Sequence, residues 1–274
     1  MLYDKINYSA NINYLNNTLI YEYDISKANI NVLYSKCAID KPTYDYLYNA
    51  NRVIRQKYIG KLQQQNPELI KILKDGIIEA KEMLFKSNNI QDHEVLSIKN
   101  DAVFIINRRL LNTKFGLIEF KEKSQFTSFY KFDNLEVYYY YNSYSKMENI
   151  EVKGISDEKL KLHENGMLQF LKDIFYTLQT SGVEIAMRML KDFYLEYITM
   201  KLPFDHYRKF NSDSTYHLKY NPASHTGFDA EFLPDNCINS IDISYNISIL
   251  LELQKILSSI YLRFSMKSFH CCLS

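Results

Sequence analysis

Hydrophobic positions change their spacing sharply within the stretch "YEYDISKANINVLY", Tyr21 to Tyr34. Ile20, Tyr21 and Tyr23 run as a strand would, with Glu22 among them, and Asp24 stands where the strand should stop. After Ser26 the apolar residues Ala28, Ile30, Val32 and Leu33 follow a helical period. Upstream, residues 1–24 read as strands separated by the Asn-rich turns "SANIN" and "LNNT". Downstream, 26–36 and 41–64 read as helices, with Pro42 suited to a first helical turn. The clearest helix of this half is "NPELIKILKDGIIEAKEMLF". Asn66 can cap it, Pro67 fits its first position, and Leu69, Ile70, Leu73, Ile77, Met83 and Leu84 mark its apolar face. Gly76 interrupts it, which points to close packing or a bend.

Two short apolar runs in "HEVLSIKNDAVFII" hinge on Lys99-Asn100-Asp101 and predict a β-hairpin. "FGLIEFKEK", "FTSFYKF" and "LEVYYYYN" follow as strands. The run Tyr138 to Tyr141 could present two rings for base stacking, but an amphipathic edge strand is the simpler reading. From Ser156 the pattern turns helical: "SDEKL" offers a cap, and "LQFLKDIFYTLQ" and "VEIAMRMLKDFYLEYITM" carry the period. A polar, loop-rich stretch covers about 203–239, and "SIDISYNISILLELQKILSSIYLRF" closes the chain as a long helix. The fold class is therefore α+β: an antiparallel sheet with helices, then a β-meander, then a helical C-terminal half. The expected division is 1–150 and 151–274, with a seam near 142–156.

Composition narrows the function only a little. The 274 residues are 46% hydrophobic and 24% charged, with a net charge of +1, so any polyanion contact must come from a local patch. Cys37, Cys237, Cys271 and Cys272 have neither metal-ligand spacing nor a disulfide framework, which fits a reducing compartment. No apolar run reaches membrane-spanning length and "MLYDKINYSA" is not a signal peptide, so a cytoplasmic protein with no membrane partner is expected. The terminal "CCLS" matches the prenylation pattern, without the basic flank that usually accompanies it. His206, His217 and His225 lack zinc spacing and read as surface residues. "KLPFDHYRKF" gathers an acid, a histidine and an arginine, an isolated hint of a nuclease-like site.

Three pieces carry chemistry when taken in order: Asp24 at a strand–helix junction, the basic helix "NRVIRQKYIGKLQ", and Asp101 in a hairpin. Phosphoryl transfer from a nucleoside triphosphate uses two divalent metals, which activate the attacking hydroxyl and stabilise the leaving pyrophosphate. Magnesium takes hard oxygen ligands and keeps several waters, so two carboxylates and the substrate phosphates can hold such a pair. Arg52 and Arg55, three apart, project from one helix face toward a triphosphate. Each residue also has a plainer role open to it. Asp24 suits a helix cap, Asp101 suits a tight turn after Asn100, and Arg52, Arg55, Lys57 and Lys61 suit a solvated helix face.

Over about residues 20–106 the chain resembles the palm of family A DNA polymerases. "DISKANINVL" looks like the first palm motif, with Asn29 where that family usually carries a glutamate that discriminates the sugar. "NRVIRQKYIGK" is similar to the fingers-helix motif, with Arg52 and Arg55 in basic positions, Ile59 where an aromatic ring stacks on the incoming base, and Gly60 matching its glycine. "SIKNDAVFI" looks like the His-Asp-Glu hairpin, with Asn100, Asp101 and Ala102 at the three places, and is also similar to the Thr-Asp-Ser hairpin of family B. The resemblance implies a template-dependent nucleotidyltransferase from a viral or mobile element. Asp24 and Asp101 would be its catalytic, metal-binding residues with two Mg²⁺, and Ser26, Asn29, Arg52, Arg55, Ile59 and Lys61 its nucleotide-binding residues. Its partners would be a nucleic acid template and a nucleoside triphosphate. The separation of Asp24 from Asp101, 101 − 24 = 77 residues, is short for a full palm with elaborated fingers. The alternative expectation is a catalytically silent fold of this kind that binds or inhibits a protein partner.

Overall fold

The computed structural model describes residues 2–132, 135–153, 166–203, 206–207, 216–220, 228–232 and 240–271. The protein is α+β, with helices and antiparallel sheets distributed over two compact units.

The first unit comprises Met1–Ile12 and Asn17–Ser128. Its strands are β1 (Asn7–Ser9), β3 (Ile20–Ile25), β4 (Val95–Lys99), β5 (Ala102–Ile106), β6 (Lys114–Phe115) and β7 (Ile118–Phe126), in the order β1-β4-β5-β3-β7-β6. Every pairing is antiparallel. One face of this sheet is apolar. Tyr23, Ile25, Ile98, Val103, Ile105, Ile118 and Phe120 share a core with residues of four helices. These are α1 (Ala28–Ser35), α2 (Lys41–Asn49), α3 (Arg52–Gln65) and α4 (Glu68–Asn88). The period of α4 produces the match directly, because Leu69, Leu73, Ala80 and Leu84 fall on one side of the helix and are buried.

Close packing, the first of the two explanations for Gly76, is the one the structure supports. A Cβ at Gly76 would lie 2.3 Å from Val32 Cγ1 on α1. Absence of a side chain there lets α4 approach α1. The stretch 41–64 is broken at Ala50-Asn51 into α2 and α3, because Asn51 caps α3 through Ile54 N–H at 2.9 Å, as Asp40 caps α2 through Thr43 N–H at 2.9 Å. α4 begins one residue later than expected, with Pro67 and not Asn66 at its N-cap.

The second unit comprises Asn13–Asn16 and Phe129–Ser274. Strands β2 (Tyr14–Leu15), β8 (Ser128–Phe132), β9 (Leu135–Asn142) and β10 (Met147–Lys153) form a sheet in the order β10-β9-β8-β2. β10 runs through the stretch expected from sequence to be a seam. Helices α5 (Gly166–Thr180), α6 (Val183–Ile198) and α7 (Ser240–Cys271) supply the other side of this unit's core. Phe175 stacks on Tyr130 with ring centroids 4.0 Å apart, and Leu253 and Leu257 join the same cluster. β11 (Tyr216–Tyr220) and β12 (Phe228–Phe232) pair as a hairpin within the stretch read from sequence as loop-rich.

The tyrosine run corrects the sequence reading. β9 is an inner strand, paired with both β8 and β10, and Val137, Tyr138 and Tyr139 are buried on both of its faces. It is not an amphipathic edge strand, because successive rings are needed on both sides to fill the core. Tyr139 satisfies its hydroxyl by donating to Glu148 at 2.7 Å. The helix cap expected at Ser156, Asp205 and Arg208 of "KLPFDHYRKF", His225, Cys237 and the last three residues of "CCLS" lie outside the described residues. No helix among the described residues is long and apolar enough to cross a membrane.

The Gly76–Val32 contact and the open surroundings of Gly60 give opposite expectations for the same substitution. Gly60→Ala, with nothing within 4 Å of its Cβ, should raise stability by up to about 1 kcal/mol through helix propensity. Gly76→Ala should lower it by about 1–2 kcal/mol, because overpacking against a stiff valine outweighs that gain. Urea unfolding of the two variants checks this, and a stabilised Gly76→Ala would refute the close-packing account.

Candidate metal and nucleotide site

β3 lies at the centre of the site because it is paired on both edges. Asp24, its penultimate residue, stands opposite Ala102 of β5 on one side and Lys121 of β7 on the other. β4 and β5 are joined by the two-residue turn Asn100-Asp101, with Lys99 opposite Ala102. Asp101 therefore directly precedes the residue that pairs with Asp24. Since adjacent strands run about 4.8 Å apart, the backbones of the two aspartates come close at one end of the sheet's two central strands, although 77 residues separate them (101 − 24).

Strand alternation fixes the face that Asp24 occupies. Tyr23 and Ile25 belong to the helix-side core, so Asp24 and Glu22 stand on the opposite face, level with Ala102 and Phe104. Glu22 is buried there and pairs with Lys123 Nζ at 3.2 Å. The direction of Asp101 is set by its turn instead of by the pleat. Asn100 adopts φ 55°, a left-handed conformation that asparagine tolerates, and its N–H donates to Ile6 O at 2.8 Å. The hairpin and the turn position expected for Asp101 thus coexist with its place beside Asp24.

Asp24 is not the cap of the following helix. α1 starts at Ala28, its N-cap is Lys27, and no side chain caps it. Lys27 turns the chain in a left-handed conformation, φ 50°, and is held by α2: its Nζ donates to Tyr48 O at 2.8 Å and lies 3.3 Å from the centroid of the Tyr48 ring. Asn31 completes the junction. Its Nδ2 donates to Ser26 O at 2.7 Å, and its Oδ1 accepts from the Tyr44 hydroxyl at 3.0 Å. Ser26 also donates its N–H to Glu119 O at 2.8 Å, which ties the turn to β7. Ser26 is half-buried and Asn29 is exposed.

The remaining expected nucleotide contacts stand on α3, which the strand register does not reach. Arg52 and Lys61 are exposed, and Arg55 is half-buried with Nη1 donating to Ala50 O at 2.5 Å. Ile59 is 3% exposed and packs in the helix-side core. It anchors α3, and a base could stack on it only if the helix lifted. α3 carries Arg52, Arg55, Lys57 and Lys61 and no acidic residue, so it is a local basic element in a nearly neutral chain. Two arginines in the first turn oppose the helix dipole, and an anion beside them would relieve that repulsion.

Sequence reasoning passed over Lys81. It is fully buried on α4, where it donates to Lys5 O. Burial pushes its ammonium from the ordinary 10.5 down to about 8, against the opposing pull of Asp101 and Asp4. A signal was present, since Lys81 falls in the apolar row Ile77, Lys81, Leu84 at spacings of four and three. Asn31 left a weaker trace between Ile30 and Val32.

Among the described residues no three His, Cys, Asp or Glu side chains gather as a metal group. Asp24 and Asp101 carry carboxylates, hard oxygen donors of the kind Mg²⁺ accepts when waters and phosphates complete its shell. An antiparallel α+β protein with two acids at neighbouring strand ends is the class these elements define. The chain belongs to the Bacteriophage PBS1 gene 130 protein family, whose profile matches residues 1–259. This is a phage family, in keeping with the viral source expected from sequence, and the match is not to a polymerase family. No curated protein matches the chain.

The Asn31 junction is testable by itself. Asn31→Ala removes both hydrogen bonds and leaves the buried Tyr44 hydroxyl without its acceptor, so stability should fall by about 2–3 kcal/mol. Tyr44→Phe should cost about 1 kcal/mol, and the double variant should fall short of the sum. Additive losses in urea unfolding would show that the two side chains do not act as one pin.

Proposed function

We propose that this protein is a phage template-directed nucleotidyltransferase, using Asp24 and Asp101 to hold Mg²⁺ for transfer of a nucleotide from its triphosphate. One observation carries the reading: the pairing of β3 with β5 sets Asp24 beside the residue that follows Asp101. Asp24 and Asp101 would hold the two Mg²⁺, which would supply activation of a primer hydroxyl for attack at the α-phosphate with pyrophosphate as leaving group. Arg52 and Arg55 attract the triphosphate, Lys61 extends that charge along α3, and Ser26 and Asn29 border the nucleotide. The basic, acid-free α3 supports contact with a nucleic acid backbone, and exposed Tyr46 and Tyr58 beside it offer faces for unpaired bases. Asn29, where family A polymerases usually carry a glutamate, leaves both sugars as substrates to be compared.

A second reading, a catalytically silent protein of the same fold that binds a partner, draws on Asn100 and Ala102, which stand where the related hairpin carries His and Glu. Labelled nucleotide incorporation on a primed template with Mg²⁺ or Mn²⁺ separates the two. Wild type should extend the primer, and Asp24→Asn and Asp101→Asn should each reduce the rate by more than about 100-fold, as expected for loss of a metal ligand. Full activity in either variant would remove that aspartate from the mechanism. Tight binding of primed template without extension by wild type would favour the silent reading.

A further inference from the structure

Lys81 is a cation buried on the apolar side of a helix, an expensive placement that the nucleotidyltransfer scheme above leaves without a role. Its surroundings give it one. Nζ donates to the carbonyl of Lys5, the residue after the short 3₁₀ turn Leu2–Asp4. The next carbonyl, of Ile6, accepts the N–H of Asn100 at 2.8 Å, inside the turn that carries Asp101. Beyond it, Asn7 pairs with Lys99, the residue before that turn. α4 also holds the segment through Tyr3, whose ring meets Phe85 edge-on at 6.1 Å. The chain from Tyr3 to Asn7 is thus fastened to α4 at Tyr3 and Lys5 and to the hairpin tip at Ile6 and Asn7. The negative charges of Asp101 and Asp4 in turn favour the charged form of Lys81.

We propose that Lys81 is a positioning residue for Asp101, acting as a clasp that fixes the hairpin tip through the N-terminal segment. This inference deepens the metal reading of Asp24 and Asp101 and rests on it for its consequence, while the clasp itself is measurable without metal. A surface lysine could not do the same work, because water would compete for its donors. A buried ammonium must keep its backbone acceptor, so the Lys5 carbonyl is held in place. Asn100, one residue further along the same segment's bonds, then has a fixed partner.

Two variants test it: Lys81→Met removes the clasp, and Tyr3→Ser loosens the same segment without touching the buried site. Amide hydrogen exchange should accelerate by about tenfold or more at Asn100 in both variants, with Phe104 in β5 unchanged. Mn²⁺ titration, followed by broadening of backbone amide signals, supplies the second readout. Loss of a nearby positive charge alone would tighten Mn²⁺ binding, whereas loss of position should weaken the Asp101 effect by about tenfold. Unchanged exchange at Asn100, or Mn²⁺ binding as tight as wild type in Lys81→Met, would overturn the clasp. Absence of Mn²⁺ broadening in the wild type would instead sink the metal reading, and exchange at Asn100 would still decide the clasp.

Discussion

Strand β3 is the constraint on which the first unit depends, because it is hydrogen-bonded along both edges and must satisfy two opposite surroundings at once. Its odd-numbered residues Tyr23 and Ile25 go to the helix side, and its even-numbered residues Glu22 and Asp24 go to the other. A slip of one residue would drive both acids into the apolar core. Asp24 would there lose its partial exposure and Glu22 its ion pair with Lys123, both costly without new partners. Register is therefore specified by charge as well as by apolar burial. The bulge at Glu22/Tyr23 against β7 adjusts that edge while the β5 edge keeps its regular pairing.

Everything that gives the aspartate pair a fixed frame is built around that strand. Lys27 reverses the chain in a left-handed turn, at a conformational cost that its hydrogen bond and ring contact with Tyr48 help to offset. Asn31 then ties the turn to α2, and the bare surface at Gly76 brings α4 close against α1. α4 in turn carries Lys81 toward the far side of the hairpin. These contacts fix the backbone around Asp24 and Asp101 through side chains far along the chain from either residue.

The second unit follows a different economy. Its sheet and helices meet through rings, with Tyr130, Phe132 and Tyr139 all packed around Phe175. Tyrosines that would be surface residues in an edge strand are here core residues whose hydroxyls reach acids or amides, as Tyr139 does to Glu148 and Tyr130 to Asn16. The high tyrosine content has a structural use in this unit, and base stacking by the 138–141 run is excluded at Tyr138 and Tyr139 by burial.

The sequence by itself determined most strands and helices of the first unit, though not the break at Ala50-Asn51 within 41–64. The period-two pattern before Asp24, the helical period after Ser26 and the caps Asp40 and Asn51 are local signals, set by residues within one or two turns of each other. The hairpin around Asn100-Asp101 was legible for the same reason. Tertiary structure decided what no short window contains. It showed that Asp24 lies opposite the residue that follows the turn carrying Asp101, that Ile59 turns inward, and that the helix cap lies at Lys27 and not at Asp24. Each of these depends on partners far along the chain, such as α4 beneath Ile59 or β5 beside Asp24. The position of β9 inside its sheet has the same origin, since an inner and an edge strand can share one sequence pattern until their neighbours are known.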